Sequence, residues 1–438
     1  MRSYTKTSFG LRGRLLYNKK RNFVRYQVTA RPWRAEVFIM LELNKLTGQL
    51  DVMADALARQ RSRKRDRILR AREQLLVLAQ VTEELREKLA IARQVDESWR
   101  GADPLGERLD ERCQTPQQSQ PATLVASDGS QIYPDAHAIA LYYLTNIGTI
   151  VLRQGSGQAP TTVTDPLLKM AEEDPSEEVD QDRVDVDEVN LRRDLREMEA
   201  LAALARRERE ALGGDMDRLV VALADGPLLP WMPQRLTDVD QTQRVKQFTA
   251  SLDDMQASYA VPLGYVDRPR SANVLRLLHL AGLPVDAISK ERLRKDNPYA
   301  GLSDAALFQD LQPGGRTGLF ATTAEINENF KLQGHRICFC YLNVAAQPGE
   351  KNACLVRIEM PQWIAQEPSR LEASLAAVWS DCRLLDYPYL LTRAHELALV
   401  SRQERDALEQ MVRTEMMRRG LRVEESPKAN TKRFVGGR

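Results

Sequence analysis

Two apolar runs in this 438-residue chain each lead to an Asp-Gly pair, and they limit the possible folds more than any other feature. The run at residues 122–126 leads to Asp128, and the run at residues 219–224 leads to Asp225. Both runs predict buried strands that stop at a turn, and open α/β sheets place their ligands beyond the carboxyl ends of such strands. Two carboxylates at these positions predict a metal site.

The segments between the two carboxylates occur in a recognisable order. An alternating stretch at residues 139–144, a turn at residues 146–148 and a second stretch at residues 149–153 follow the Asp128 strand, and together they predict a meander of three antiparallel strands. Apolar residues then recur at helical spacing over residues 189–212, which predicts a helix before the second Asp strand. This order resembles an α/β fold of the ribonuclease H-like class, in which helices flank a mixed sheet.

Several short motifs also follow one another in a specific order. They are Asp128-Gly129-Ser130, Asp225-Gly226-Pro227, Ile358-Glu359-Met360-Pro361-Gln362-Trp363-Ile364, Tyr387-Pro388-Tyr389 and Ala394-His395. In this order they resemble the NurA family, nucleases that process DNA ends beside a HerA-type hexameric translocase. The resemblance extends over about residues 41–420. It implies a homodimeric DNA nuclease, with single-strand endonuclease and 5′–3′ exonuclease activity, that acts in the repair of double-strand breaks.

The resemblance also implies roles for five side chains. Asp128, Glu197 and Asp225 are the predicted metal ligands, His395 is a ligand or a proton-transfer group, and Tyr387 positions the scissile phosphate. Two divalent ions about 4 Å apart can activate a water molecule and relieve the charge on the phosphate. Oxygen ligands suit Mn²⁺ or Mg²⁺, and the family resemblance implies a preference for manganese.

The metal-site glutamate has two candidates. Glu197 and Glu199 flank the apolar face of the predicted helix on opposite sides. We choose Glu197 because the proteins that this chain resembles carry Arg-Asp-Leu, one further residue and Glu, as at residues 193–197 here. Glu199 stays open. Arg268 is a candidate phosphate contact at a predicted strand end, and its alternative is an ordinary solvated arginine.

Each of these residues also has an ordinary structural interpretation. Asp-Gly after a strand is a common turn signal, so neither Asp128 nor Asp225 would indicate a site by itself. Tyr387 precedes Pro388 at a predicted helix start and could be a core residue. His395 could pack against the sheet or lie on the surface of its helix. The shared context of Asp128 and Asp225 favours a site there, and the family resemblance favours a site role for Tyr387 and His395.

Residues 49–99 contain neither Gly nor Pro, so one long helix is allowed there. Leu50, Met53 and Leu57 belong to an apolar seam that resumes at Ile68 after a phase break, and this pattern predicts a coiled-coil-like arm. Its seam requires a partner, either another helix of this chain or a second copy. Between its two halves, residues 59–72 hold eight basic residues and one acid, which indicates either a stripe that contacts DNA phosphates or a solvated helix surface.

The predicted domain organisation follows from these segments and from composition. The first 36 residues contain ten Lys or Arg and one Glu. We predict five regions in the chain. They are a disordered basic extension at residues 1–39, the helical arm at 40–115, the nuclease domain at 116–420, an acidic loop at 155–190 inserted in that domain, and a disordered basic tail at 421–438.

The second half of the chain is predicted to extend the sheet and to end in helices. Alternating runs at residues 336–344 and 353–360 predict a hairpin, and helices are expected at residues 368–384 and 391–419. Five scattered cysteines favour a reducing cytoplasm over a disulfide framework. No apolar run approaches the ~20 residues that span a bilayer, so no membrane partner is expected.

Two other functions compete with the nuclease. The first is a catalytically silent DNA-binding or scaffold subunit with the same fold, which would keep DNA affinity and oligomerisation without cleaving DNA. The second is a phosphatase that uses Asp128 as a covalent nucleophile. That class usually carries a second Asp two residues later, where this chain has Ser130, and we rank it last.

Overall fold

The structure is a computed structural model, and it describes most of the chain. The described residues are 13–18, 23–28, 46–80, 82–116, 121–135, 140–171, 184–213, 215–233, 236–346 and 353–421. The chain divides into two compact units, residues 1–63 and residues 64–438. Within the described ranges, none of the helices combines the length and the apolar character needed to cross a bilayer. The predicted tail at 421–438 lies outside these ranges apart from Leu421, and the predicted domain boundaries stay predictions.

The first unit contains a hairpin and the beginning of a long helix. Strand β1 (Gly13–Asn18) pairs antiparallel with β2 (Phe23–Val28), and helix α1 (Thr47–Val77) begins in this unit. The two strands lie inside the extension at residues 1–39 that is predicted to be disordered. The other residues of that extension lie outside the described ones.

The single helix predicted at residues 49–99 is interrupted. Helix α1 ends at Val77, and α2 (Glu83–Val95) begins after Thr82. The Thr82 side chain accepts a hydrogen bond from the Leu85 N–H, 3.2 Å away. Such a cap satisfies a backbone donor that the first helical turn leaves unpaired, so a new helix can begin without Gly or Pro. The prediction of one continuous helix is therefore wrong.

The apolar seam of the arm has an exposed part and a buried part. Leu50, Met53 and Leu57 in α1 are about half exposed. The later part of the seam packs in one cluster with apolar side chains of helix α5 (Asn273–Ala281). The buried members of that part are Ala71, Leu75, Leu85 and Leu89. This later part finds its partner within the same chain, and coiled-coil pairing of the earlier part stays a prediction.

A mixed sheet forms the centre of the second unit, with eleven strands among the described residues. In chain order the strands are β3 (Ala102–Pro104), β4 (Arg112–Gln114), β5 (Ala122–Ile132), β6 (Tyr142–Arg153), β7 (Thr161–Met170), β8 (Leu219–Asp225), β9 (Val261–Val266), β10 (Gly315–Thr317), β11 (Phe320–Thr322), β12 (Ile337–Asn343) and β13 (Leu355–Pro361). Their order across the sheet is β3-β11-β12-β13-β9-β8-β5-β6-β7, and β10 pairs with β12 and β4. Strand β8 runs parallel to β5 and β9, whereas the other pairs are antiparallel. The α/β class with a mixed sheet is confirmed, and so is the hairpin predicted at residues 336–344 and 353–360.

The predicted meander exists, but its strands are longer than expected. The turn predicted at residues 146–148 lies inside β6, where Gly148 pairs with Asp128. Strand β5 continues past Asp128 to Ile132, so Asp128 lies within a strand, and only Asp225 ends one. A glycine inside a strand often marks the close approach of another backbone, and helix α11 (Tyr389–Ala398) approaches at Gly148.

The segment at residues 155–190, predicted to be an acidic loop, contains regular structure. It includes all of β7 and the first turn of helix α3 (Val186–Ala211), which has Asp185 as its N-cap. Residues 172–183 lie outside the described residues. The helix predicted at residues 189–212 is confirmed and begins one turn earlier, because the Asp185 side chain caps it.

Helices cover both faces of the sheet. On one face, α3 and α4 (Asp238–Ala257) pack against Val125 of β5. On the other face, α10 (Pro368–Cys382) and α11 (Tyr389–Ala398) pack against Leu124 and Ala126 of the same strand. The remaining described helices are α6 (Lys290–Arg294), α7 (Asp304–Leu307), α8 (Glu325–Leu332), α9 (Gln362–Ala365) and α12 (Arg402–Arg418). Alternation along β5 therefore determines which helix each of its side chains meets.

The helix predicted at residues 391–419 is two helices. Helix α11 ends at Ala398, and α12 begins after Ser401. Ser401 and Glu404 form a reciprocal capping box, which is a sequence signal for a helix start. The break leaves His395 in the last turn of α11.

Candidate active site

Asp128 and Asp225 lie side by side on neighbouring strands. Strands β5 and β8 pair in parallel with Ser127 opposite Ala224, so the next residue of each strand is an aspartate. Neighbouring strands are about 4.8 Å apart. Side chains two residues earlier in both strands belong to the core beneath α10 and α11, so both carboxylates point to that side of the sheet.

His395 contacts Asp128 directly. Its Nδ1 atom lies 2.7 Å from Oδ2 of Asp128, across 267 positions of sequence. The imidazole is 59% exposed, whereas the Asp128 side chain is 14% exposed. A histidine that donates one ring N–H to a carboxylate keeps its other nitrogen for a metal ion or for a proton.

Helix α11 is attached to β6 at the end that carries His395. The Asn146 side chain donates a hydrogen bond of 2.8 Å to the Ala398 carbonyl oxygen, and Ser130 Oγ donates to the same oxygen. A Cβ added to Gly148 would lie 2.6 Å from the Ala398 nitrogen. Close approach at Gly148 therefore brings His395 over Asp128.

Tyr387 contacts the second aspartate. Its hydroxyl donates to Asp225, at 3.2 Å from Oδ1 and 3.3 Å from Oδ2. The preceding Asp386 has a left-handed backbone with φ of 52°, and the Tyr387 ring meets Tyr265 edge to face at 5.3 Å. Removal of water around the carboxyl raises the pKa of Asp225, and repulsion from Asp128 adds to the rise. Burial and the neighbouring Asp225 likewise raise the pKa of Tyr387, which keeps its hydroxyl protonated.

Glu197 approaches β5 beside Asp128, but from the opposite face of the sheet. It lies on α3, and its Oε1 atom occupies the space that a Cβ of Gly129 would take. Ser127 Oγ donates a hydrogen bond of 2.8 Å to the Glu197 carbonyl oxygen. Arg193, one turn earlier on α3, places its Nε atom 3.0 Å from Glu197 Oε1.

The three carboxylates share one electrostatic environment. Burial raises the pKa of Glu197 well above its ordinary range, Arg193 opposes the rise, and Asp128 and Asp225 add to it. Glu199, the alternative candidate, is exposed on α3. Of the two candidates, Glu197 is therefore the one that senses the charges of both aspartates, although it lies on the other face of the sheet.

The chemistry of these side chains suits a hard divalent cation. Carboxylate oxygens and a neutral imidazole are ligands that Mn²⁺ and Mg²⁺ accept. Among the described residues, however, no three His, Cys, Asp or Glu side chains are arranged to hold one metal ion as they stand. Glu197 lies on the other face of the sheet from Asp128 and Asp225 and is in contact with Arg193. The donor types fit the metal, although these side chains do not form a three-ligand group in this arrangement.

Arg268 stands apart from these contacts. It follows β9 with a left-handed φ of 43°, and its side chain is 93% exposed. Its Nε atom lies 3.5 Å from Oδ2 of Asp267. A phosphate-binding role for Arg268 stays a prediction.

Sequence reasoning missed several residues around the cluster. Asp267 adds to the rise in the pKa of Asp225. It follows β9, which is parallel to β8, and an Asp at the end of a buried strand is the same signal that identifies Asp225. Arg193 stands four residues before Glu197, and this spacing on a helix favours an ion pair. Asn146 and Gly148 have the local signal of a turn, and no local signal shows that they contact helix α11 near the end of the chain.

This chain is similar to a known protein family and to a solved structure. The family model described as the NurA domain matches residues 122–400, which is more than half of the chain. Among solved structures, the chain is similar to the crystal structure of the NurA nuclease from Sulfolobus solfataricus, with 13% sequence identity and a TM-score of 0.39. That similarity covers 78% of this chain and 96% of the other. No curated protein matches the chain.

Proposed function

The chain belongs to the NurA family, and on this basis we propose that it is a manganese- or magnesium-dependent deoxyribonuclease. A nuclease role follows from the family itself. One observation supports a particular site for this activity: His395 contacts Asp128, and Asp225 lies on the neighbouring strand. Proposed catalytic residues are Asp128, Glu197, Asp225, Tyr387 and His395.

Each side chain has a task in phosphodiester hydrolysis. Divalent ions, when bound, supply an activated water and relieve charge on the phosphate. Asp128 and Asp225 would hold such ions, with Glu197 as the third carboxylate. The second ring nitrogen of His395 would bind an ion or move a proton, while its Nδ1 contacts Asp128. The Tyr387 hydroxyl, kept protonated, donates its hydrogen bond to Asp225 and so orients that carboxylate near the scissile phosphate.

The finer fold class is also part of the proposal. Three antiparallel strands, a helix and a parallel strand follow one another from β5 to β8, with a carboxylate on the first strand and on the last. This order supports a ribonuclease H-like arrangement. We include two metal ions with manganese preferred, and phosphate contact by Arg268.

Partners and process are proposed from the family resemblance. They comprise a homodimer, a HerA-type hexameric translocase and 5′ resection of DNA ends in double-strand break repair, by single-strand endonuclease and 5′–3′ exonuclease activity. A cytoplasmic location is proposed from the five scattered cysteines. The half-exposed Leu50, Met53 and Leu57 support a partner helix. The basic run at residues 59–72 supports contact with DNA phosphates.

The competing function is a catalytically silent DNA-binding or scaffold subunit. Purified protein should degrade single-stranded DNA when Mn²⁺ is added, and Asp128→Asn should abolish this degradation. Asp254→Asn is the matched control, because Asp254 lies on α4 with its side chain 57% exposed and its partner is Arg206. DNA binding by the wild type without cleavage, in either metal, would establish the scaffold instead.

A further inference from the structure

Arg193 is enclosed between β5 and α3. Its Nη1 donates 2.9 Å to Gln131 Oε1, its Nε and Nη2 donate to Oδ1 of Asp194, and its Nε lies 3.0 Å from Glu197 Oε1. All three partners present oxygen to the guanidinium. The side chain is therefore held in one place and directed at the Glu197 carboxylate.

The space for this ion pair comes from Gly129. A Cβ at this position would collide with Glu197 Oε1 and would lie 2.8 Å from Cγ of Arg193. The side chains of Arg193 and Glu197 are 24% and 18% exposed. A pair sheltered to this degree is screened less by salt and water than a surface pair, so each partner strongly affects what the other can bind.

A divalent cation and a guanidinium require the same oxygens of Glu197. We propose that Arg193 competes with a divalent cation for the Glu197 carboxylate, so that metal binding requires Glu197 to exchange its guanidinium partner. This inference rests on the proposed function. Each carboxylate of the cluster already has a partner: Asp128 contacts His395, Asp225 contacts Tyr387 and Glu197 contacts Arg193.

An alternative role for Arg193 predicts the opposite change in metal affinity. If Arg193 mainly kept Glu197 oriented toward Asp128, its removal would weaken metal binding. If Arg193 competes, removal of its charge strengthens metal binding, because the cation no longer displaces or repels a guanidinium. The direction of the change separates the two roles.

The experiment measures Mn²⁺ affinity directly. Full-length protein is freed of metal with EDTA, dialysed and titrated with MnCl₂ at pH 8.0, and free Mn²⁺ is followed by its electron paramagnetic resonance signal. Arg193→Met should bind Mn²⁺ about tenfold more tightly than wild type, equivalent to about 1.4 kcal/mol. Arg193→Lys keeps the charge and should stay close to wild type.

Arg196→Met is the matched control. Arg196 lies on the same helix, but its guanidinium contacts Thr145 and Asp165, so its loss should leave Mn²⁺ affinity unchanged. Thermal unfolding of every variant checks that the fold survives.

Three results are decisive. Equal or weaker Mn²⁺ binding by Arg193→Met, with wild-type binding intact, overturns the competition and leaves the proposed function standing. Tighter binding by Arg193→Lys as well as by Arg193→Met overturns a role for the charge. Absence of Mn²⁺ binding by the wild type and by all variants at millimolar concentration overturns both this inference and the proposed function.

Discussion

The contact between β6 and α11 gives a quantitative prediction for Gly148→Ala. The new methyl group would lie 2.6 Å from the Ala398 nitrogen and 2.7 Å from the Ala394 carbonyl oxygen, whereas ordinary contacts begin at 3.4 Å. Backbone atoms of a helix cannot rotate out of the way. Helix α11 must therefore move away from β6 by about 0.7 to 0.8 Å, the difference between these distances.

A shift of this size acts on His395. Its Nδ1 lies 2.7 Å from Asp128, so a displacement of 0.8 Å along that direction brings the distance to the 3.5 Å limit of a hydrogen bond. Misplacement of a catalytic group by about 1 Å can reduce a rate on the order of 100-fold. Overpacking of a filled contact also lowers the free energy of unfolding by about 1–3 kcal/mol.

The assay is kcat for Mn²⁺-dependent degradation of single-stranded DNA, with urea unfolding on the same samples. Gly282→Ala is the control, because an added Cβ there would have its nearest neighbour at 3.4 Å. Gly148→Ala should lose about two orders of magnitude in kcat, and Gly282→Ala should lose almost nothing. Normal kcat in Gly148→Ala would refute the reasoning that close approach of α11 positions the imidazole.

Three further predictions concern other contacts. Thr82→Ala removes the cap of α2 and should lower the free energy of unfolding by about 1 kcal/mol in urea unfolding, with Thr82→Asn close to wild type. Tyr387→Phe removes the hydroxyl from Asp225 and should lower kcat about 10-fold or more while the melting temperature stays within a few degrees. Burial raises the pKa of the Asp381 carboxyl from 3.8 to about 6, so between these pH values the folded protein binds more protons than the unfolded chain. The free energy of unfolding therefore falls by up to ~3 kcal/mol as the pH rises from about 4 to above 6. Asp381→Asn should remove that loss and be the more stable protein at pH 8 but not at pH 4, as compared by urea unfolding at both values.

The strands that position the two aspartates could be predicted from sequence for a simple reason. Strands β5 and β8 are covered by helices on both faces, so their residues read as continuous apolar runs. Helix α3 shows the spacing of one buried face over many turns. In these elements the residues that give the local strand or helix pattern are also the residues that pack in the core.

The wrong predictions occur where distant contacts override local signals. Asn146 and Gly148 have turn chemistry, but pairing with β5 on one side and β7 on the other keeps them in β6. The helix breaks before Glu83 and Arg402 depend on side-chain caps, whose residues are also common in helices. Propensity alone cannot distinguish a cap from an ordinary helical residue.

The candidate site was only partly accessible from residue patterns. The two aspartates carried a local signal, whereas Tyr387 and His395 came from family resemblance. Arg193 was visible as part of a motif, yet its contact with Glu197 over Gly129 depends on how closely α3 approaches β5. The distance between α3 and β5 is set by packing and cannot be read from a single sequence.

The position of α11 in the chain has a consequence for biosynthesis. Asp128 leaves the ribosome 267 residues ahead of His395, so a nascent polypeptide holds the carboxylates for many seconds before the imidazole emerges. Under the proposed function, neither the unfinished chain nor a truncated product that ends before α11 contains the imidazole of the nuclease site.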